Sequence, residues 1–240
     1  MMKEVYSVVA DESELKYDFE EFSTDNLFTI YDGVLSRASD NTKIYNDIVE
    51  YKIPIGVKTI SFSAFEFCSN LTSIEIPASV VSIGDAAFGY CRNLTSIEIP
   101  SSVTEIGSYA FYASSNLTNI KIPANVKSIG DSAFEDCSNL RSVTFEEGSK
   151  LTSIGKYAFK NCESLTSIKI PTSVTSIGNY AFRNCSNLTS IKIPTSVKSI
   201  GYSNFDNCSP NLTVFTDNKY VIRYCNKDNI KCAPLSEYHK

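Results

Sequence analysis

The 240-residue chain has no tryptophan, one histidine and no long apolar segment, although serines and acidic residues are plentiful. Its single histidine, His239, lies in the C-terminal tail. No nucleophile elbow, phosphate-binding loop or closely spaced pair of metal ligands is present. We therefore expect no enzyme activity, no cofactor, no metal and no small-molecule substrate. No run reaches the roughly 18 consecutive apolar residues of a membrane-spanning helix, so we expect no membrane insertion.

Acidic residues are concentrated near the N-terminus. Residues 1–52 hold 12 acids and 5 bases, a net charge of −7, whereas residues 53–240 hold 15 acids and 17 bases. This distribution does not suit a nucleic-acid-binding protein, which needs a basic surface. The first residues are too acidic for a secretory signal, and their apolar run is too short. No lipid-attachment motif is present at the C-terminus. These observations leave three alternatives: the protein is cytoplasmic, it is secreted by another route, or its signal segment has been removed.

One phenylalanine recurs at nearly constant intervals. The successive steps are 23, 23, 23, 25, 23 and 23 residues, between Phe65, Phe88, Phe111, Phe134, Phe159, Phe182 and Phe205. Repeats of this length are typical of a solenoid, in which each unit is one supersecondary element stacked on its neighbours. We therefore expect a single curved array without a central globular core.

Each unit contains two short apolar patterns. The first is Leu-x-x-Ile-x-Ile, as in Leu71, Ile74 and Ile76, and proline usually follows it. Alternating β-branched residues predict a strand with one buried face, and stacked units would align these strands in a parallel sheet. The second pattern, Val-x-x-Ile-Gly, precedes Ala-Phe and usually Cys. It predicts a return arm of turns or a short helix, with a tight bend or a positive φ at the glycine.

The two ends of the chain do not follow the repeat. We assign three segments: an acidic N-terminal cap at 1–47, the repeat array at 48–215, and a C-terminal cap and tail at 216–240. Asp32-Gly33, between apolar residues, predicts a hairpin, and Asp11–Glu21 is either a short helix or a disordered lead. A short helix is also expected in the C-terminal cap. Phe145–Leu151 carries two extra residues, which predicts a bulge on the surface.

Six of the eight cysteines share one position of the repeat: Cys68, Cys91, Cys137, Cys162, Cys185 and Cys208. Stacked neighbours lie farther apart than the Cβ atoms of a disulfide, which are about 3.5–4.5 Å apart, and Ser114 takes this position in one unit. We expect buried, reduced thiols that act as small apolar fillers, which favours a reducing compartment. Cys225 and Cys232 are either free or bridged to each other.

Several asparagines also share one repeat position, just before the predicted strand. Five of them begin Asn-Leu-Thr sequons for glycosylation: Asn70, Asn93, Asn116, Asn187 and Asn211. Asn139 occupies the same position without a sequon. A repeated amide at this point suits hydrogen bonds to the backbone of a turn, and we favour this structural role.

The repeat reads L-x-x-I-x-I-P-x-S-V-x-x-I-G-x-x-A-F-x-x-C-x-N over about residues 48–215. It resembles the 23-residue leucine-rich repeat of the BspA-like, or Treponema-type, family. The resemblance implies a leucine-rich repeat solenoid of α/β type, with mostly short parallel strands and a cap at each end. Members resembling this chain are surface-associated proteins of bacteria and of parasitic or mucosal protists, implicated in adhesion to host proteins and cells. The resemblance carries no shared catalytic residues.

The residues between the inward-pointing leucine and isoleucines point outward. Along the array the charged residues are Lys52, Glu75, Glu98, Lys121, Arg141, Lys169 and Lys192. With Glu50 included, the face runs from mildly acidic (Glu50, Glu75 and Glu98) to basic (Lys121, Arg141, Lys169 and Lys192). One interpretation is a solvated face whose charges provide solubility. The other is a polarised groove on the concave sheet face, where complementary charge orients a protein partner.

We predict a non-catalytic protein–protein interaction module that uses these charged residues. The resemblance favours a cell-surface adhesion protein that binds host or matrix protein. The missing signal segment and the unpaired cysteines favour the alternative, an intracellular scaffold in a larger assembly such as the cytoskeleton.

Overall fold

The computed structural model describes residues 22–23, 27–37 and 47–238. The acidic stretch Asp11–Glu21 and the tail histidine lie outside these residues. The described chain is a solenoid of short strands and turns. In chain order its elements are β1 (Phe22–Ser23), β2 (Phe28–Tyr31), β3 (Val34–Arg37), β4 (Glu50–Lys52), β5 (Thr59–Ile60), β6 (Ser73–Glu75), β7 (Ser82–Ile83), β8 (Glu105–Ile106), β9 (Asn119–Ile122), β10 (Ser128–Ile129), β11 (Ser142–Phe145), β12 (Ser153–Ile154), β13 (Ser167–Lys169), β14 (Ser176–Ile177), β15 (Ser190–Lys192), β16 (Ser199–Ile200), β17 (Thr213–Phe215), α1 (Lys219–Lys227), β18 (Lys231–Ala233) and a 3-10 helix (Leu235–Glu237).

The Leu-x-x-Ile-x-Ile pattern forms parallel strands, as predicted, and we call these strands the front sheet. β9, β11, β13, β15, β17 and β18 pair in that order, and β4 pairs with β6. Equivalent residues lie opposite each other, so Ile168 is level with Ile191. The repeat spacing therefore sets the register, because each unit places the same side chain at the same height.

The front sheet is interrupted in one unit. We expected a strand at Thr95–Ile99, and this expectation is wrong, although the identical sequence Thr72–Ile76 contains β6. Ile97 and Ile99 are still buried. The apolar pattern therefore determines which side chains point inward, whereas a hydrogen-bonded ladder also requires the neighbouring backbones to align.

The Val-x-x-Ile-Gly pattern forms a second parallel sheet, the back sheet. Its two-residue strands pair in the order β5, β7, β8, β10, β12, β14 and β16. β2 and β3 form the predicted antiparallel hairpin, with Asp32 and Gly33 at φ of 48° and 72° in its turn. β3 also pairs in parallel with β5, so the hairpin extends the back sheet beyond the first repeat unit.

The repeated glycines are required by close packing between units and not by a positive φ. A Cβ on Gly130 would lie 2.5 Å from backbone atoms of Gly107 and Ser108 in the preceding unit. Only a residue without a Cβ lets two units approach so closely. Within the repeat, the recurring left-handed positions are instead non-glycine residues of the outer arm, such as Ala86 (φ 53°) and Tyr90 (φ 58°).

The repeated phenylalanines form a continuous ladder in the core. From Phe65 to Phe205 the neighbouring rings are stacked, with centroids 5.1–6.1 Å apart. Phe28 of the hairpin contacts Phe65 at 4.6 Å, and Tyr224 of α1 contacts Phe205 at 6.0 Å. Aromatic side chains from both non-repeating ends thus cover the ends of the ladder.

The repeated cysteine position is a hydrogen-bond donor, which corrects the expectation of a purely apolar filler. Five of the six thiols donate to the phenylalanine carbonyl of the preceding unit, with Sγ–O distances of 3.1–3.2 Å: Cys91, Cys137, Cys162, Cys185 and Cys208. Ser114 makes the equivalent bond to Phe88 O at 2.8 Å. Serine fits this position because it supplies the same donor. All eight cysteines are free thiols, and burial raises the pKa of Cys68 to about 12.

The C-terminal segment contains the expected helix, α1. Asn218 caps its N-terminus, because its Oδ1 accepts from Tyr220 N at 2.9 Å. The Asn218 Nδ2 donates to Val197 O at 2.6 Å, which ties the helix to the last return arm. β18 then pairs with β17 and ends the front sheet. The boundaries of the three segments stay a prediction.

Candidate functional site

The front sheet exposes the charged residues that the sequence singled out, and we call these seven residues the charged face. Five of them lie on strands β4, β6, β9, β13 and β15: Lys52, Glu75, Lys121, Lys169 and Lys192. Glu98 lies in the interrupted unit, and Arg141 directly precedes β11. Buried residues alternate with six of these side chains, which therefore leave the sheet on its outer side, and Arg141 is exposed just before its strand begins. Six of the seven are exposed, and Lys192 is half-buried.

Two basic residues of the charged face have acidic partners. Lys52 Nζ lies 2.9 Å from Glu75 Oε2, directly across the β4–β6 pair. Lys121 Nζ lies 2.6 Å from Glu146 Oε1. Exposed ion pairs contribute little to stability. Their main effect is to cancel charge, so neither Lys52 nor Lys121 adds much to the field of the charged face.

Glu146 was missed by the sequence interpretation. It belongs to the insertion Phe145–Leu151, whose Glu147, Gly148 and Lys150 are exposed, which confirms the predicted bulge. Hydrogen bonds from Lys121 and from Ala124 N (3.1 Å) hold the pKa of the Glu146 carboxyl below its ordinary value. Glu146 occupies the repeat position at which proline follows the strand in most other units. The replacement of proline by glutamate is the sequence feature that could have identified Glu146.

The other three basic residues have no acidic partner within the described part of the chain: Arg141, Lys169 and Lys192. We call these three residues the basic end. Lys169 and Lys192 lie opposite each other in the β13–β15 register. Like charges directly opposite on neighbouring strands are destabilising. The isolated protein therefore carries an electrostatic cost at this point that a negatively charged partner would relieve.

Two aromatic residues border the basic end, and the sequence interpretation missed both. Lys192 Nζ lies 5.3 Å from the ring centroid of Tyr238, which meets Phe215 edge-on at 5.1 Å. Phe215 lies opposite Lys192 in the next strand. Following the repeat position of Lys192 into one more unit would have identified Phe215 from the sequence. Tyr238 follows the 3-10 helix in the non-repeating segment, where no periodicity points to it.

The sequon asparagines are exposed and take part in different bonds. Asn187 Nδ2 donates to Glu163 O at 2.9 Å, which confirms the turn-bonding role there. Asn139 Nδ2 donates instead to the side-chain oxygen of Asn116 at 3.2 Å, a contact between neighbouring units. Glycosylation of these residues stays a hypothesis.

The described residues contain no group of three or more His, Cys, Asp or Glu side chains arranged to hold a metal ion. In the same ranges, no helix has both the length and the apolar character needed to cross a membrane.

The family described as BspA type Leucine rich repeat region matches this sequence in six copies, over residues 43–150 and 104–233. No curated protein matches the chain. The solved structures that are similar to it include three leucine-rich proteins. A leucine rich cell surface protein from Faecalibacterium prausnitzii is 25% identical with a TM-score of 0.53, over 73% of this chain and 62% of that one.

The second similar structure is a leucine-rich repeat protein from Bacteroides ovatus, which is 25% identical with a TM-score of 0.37, over 77% of this chain and 65% of that one. The third, a Leucine Rich Repeat protein of T. pallidum, is 22% identical with a TM-score of 0.45, over 93% and 98% of the two chains. This chain spans only 62% and 65% of the proteins from F. prausnitzii and B. ovatus.

Proposed function

We propose that this chain, which belongs to the BspA-type leucine-rich repeat family, is a non-catalytic module that binds another protein through its charged face. Families of this kind present extended surfaces along a stack of repeats, and protein binding is their usual role. Within the charged face, we assign the main contribution to the basic end.

The in-register pair Lys169–Lys192 carries this proposal. The two ammonium groups lie on neighbouring strands without an acidic partner in the described chain, whereas Lys52 and Lys121 each have one. An acidic surface of a partner would replace the repulsion between the two lysines by attraction. Complementary charge of this kind mainly speeds encounter and fixes the orientation of the complex.

Phe215 and Tyr238 support the same assignment. Aromatic residues and arginine are enriched at the centre of protein interfaces, because they combine a large apolar area with a polar or charged group. Here the aromatic pair lies beside Lys192, which is in register with Lys169, and Arg141 precedes β11, the neighbour of the strand that carries Lys169. We therefore propose a partner segment that offers both carboxylates and apolar side chains.

The more specific role that we propose is adhesion at a cell surface, by contact with host or matrix protein. The similar F. prausnitzii structure is that of a cell surface protein, and this likeness supports the proposal. The second candidate is an intracellular scaffold, which the free thiols favour. Antibody labelling of intact cells, with and without surface proteolysis, separates the two. Labelling that protease removes supports adhesion, and labelling only after permeabilisation supports the scaffold.

The test of the binding face compares two triple charge reversals. The first variant changes the basic end: Arg141→Glu, Lys169→Glu and Lys192→Glu. The control makes the same change in net charge at three exposed lysines that directly precede back-sheet strands: Lys58→Glu, Lys127→Glu and Lys198→Glu. Each protein is immobilised and incubated with the same cell-surface and cytosolic extracts, and retained proteins are quantified by mass spectrometry.

We expect a set of acidic proteins that the wild type and the control variant retain and that the basic-end variant loses. Retention of the same proteins by all three would contradict the assignment of the basic end. Matching thermal melting curves for the two variants serve as the check that folding is intact.

A further inference from the structure

Two cysteines lie outside the ladder of thiols in the array. Cys225 is buried on α1, and Cys232 is half-buried in the middle of β18. In the array the thiols bond to a backbone carbonyl, and Ser114 shows that this position needs a donor and not sulfur in particular. That explanation does not extend to Cys225 and Cys232, which belong to a helix and a strand of the non-repeating end.

Cys225 and Cys232 contact each other. α1 packs against β18, with Cys225 buried in the core and Cys232 packed against that core, which places the two side chains between the helix and the strand. The connection between them is short and held by backbone bonds, including Ile230 N to Cys225 O at 2.9 Å. The hydrogen bond from Cys225 lowers the pKa of Cys232, whereas the same bond, together with burial, raises the pKa of Cys225.

We propose that Cys225 and Cys232 are a thiol-oxidation site that reacts with small-molecule disulfides to form an intramolecular disulfide. The half-buried Cys232 reacts first, because it is reachable and more readily deprotonated. Its thiolate attacks one sulfur of the small disulfide and releases one small-molecule thiolate. Cys225 then loses its proton, and its thiolate attacks the Cys232 sulfur of the mixed disulfide. This step forms the Cys225–Cys232 bond and releases the second small-molecule thiolate.

The reaction is balanced. The protein loses two thiol protons and two electrons, the small disulfide is reduced to two thiols, and each released thiolate takes up one of the protons. One S–S bond of the small molecule breaks, and one S–S bond forms in the protein. No other oxidant is needed.

The array thiols differ from this pair in their hydrogen-bond partners, because five of the six donate to a backbone carbonyl, although Cys185 and Cys208 of neighbouring units also interact with each other. Equivalent residues of neighbouring parallel units are about 4.8 Å apart, wider than the Cβ separation in a disulfide. Their sulfurs also point at the carbonyl groups of the preceding unit. We therefore expect oxidation to be confined to Cys225 and Cys232. The bond would tie α1 to β18, the strand that completes the front sheet beside β17.

The test uses the full chain incubated with oxidised glutathione at neutral pH and then alkylated. Intact mass and peptide mapping are recorded for the wild type, for Cys225→Ser and for Cys208→Ser as the matched array control. We expect the wild type and Cys208→Ser to lose two hydrogen atoms and to yield a Cys225–Cys232 cross-linked peptide. We expect Cys225→Ser to yield no internal disulfide. The oxidised wild type should melt at a higher temperature than the reduced form, because the bond restricts the unfolded chain.

Three results would overturn the proposal: alkylation of all eight cysteines after oxidation, a disulfide that includes an array cysteine, or a persistent glutathione adduct on Cys232 without ring closure. The mass readout does not depend on stability. Cys225→Ser could lose the disulfide simply because it misfolds. A second variant, Cys232→Ser, is therefore tested as well, and we expect it to form no internal disulfide either.

Discussion

Ser114 provides a single-residue test of how neighbouring units are held together. Its side chain is fully buried, and its hydroxyl donates to Phe88 O at 2.8 Å. In Ser114→Ala this carbonyl keeps only the long bond from Cys91 N, at 3.4 Å. Leaving a buried acceptor without its main donor costs about 1–3 kcal/mol of unfolding free energy. For a chain of this size each kcal/mol shifts Tm by about 2–4 °C, so we expect a fall of roughly 2–12 °C.

Thermal unfolding followed by circular dichroism measures this change, with two comparison variants. Ser114→Cys restores a donor of the kind used in the other units, and its stability should lie within about 1 kcal/mol of the wild type. Ser186→Ala removes an exposed hydroxyl directly after the thiol position, and it should change stability by less than about 0.5 kcal/mol. If Ser114→Ala melted like Ser186→Ala, the bond between units would not contribute as we argue.

Three further changes test other parts of the account. Gly130→Ala should lower Tm more than Gly148→Ala, because a Cβ on Gly130 meets backbone at 2.5 Å, whereas a Cβ on Gly148 meets no atom within 4 Å and costs only the strain of its φ of 73°. Phe134→Ala should lower the unfolding free energy measured in urea by about 3–5 kcal/mol, since the ring is buried in the ladder. A double-mutant cycle of Lys121→Ala and Glu146→Ala at several pH values should show coupling that falls with acid. The pKa of Glu146 is lowered by folding, so its contribution is complete above the ordinary pKa of glutamate and is lost as the pH falls through the lower folded value. Coupling that is unchanged in acid would contradict this assignment.

The sequence repeat correctly predicted those features of the fold that are determined within a single unit. The inward positions of Leu71, Ile74 and Phe88 follow from the alternation of apolar residues within a single unit. The hairpin at Asp32-Gly33 follows from local turn chemistry. Such features need no knowledge of the neighbouring unit.

Features that arise between units were misread. Gly130 is required by the backbone of the preceding unit, and the thiol of Cys137 bonds to a carbonyl there, so neither cause is visible within one repeat. Thr95–Ile99 shows the same limit, because an identical sequence elsewhere forms a strand.

In the candidate site, too, the residues within the repeat were predictable from their spacing in the sequence, and the residues outside it were not. Lys169 and Lys192 were placed on one face by their spacing alone. Glu146 and Tyr238 reach the charged face from an insertion and from the C-terminal segment, which have no period to extrapolate. Their positions depend on packing against neighbouring elements.

The central claim is that the basic end binds a protein. The most direct measurement is the Kd of one captured partner, purified, for three proteins: the wild type, the basic-end variant and the back-sheet control. At low ionic strength we predict that the Arg141→Glu, Lys169→Glu, Lys192→Glu variant binds at least about tenfold more weakly, that salt narrows the difference, and that the control binds like the wild type. Equal affinity of the basic-end variant and the wild type at low salt would contradict the claim.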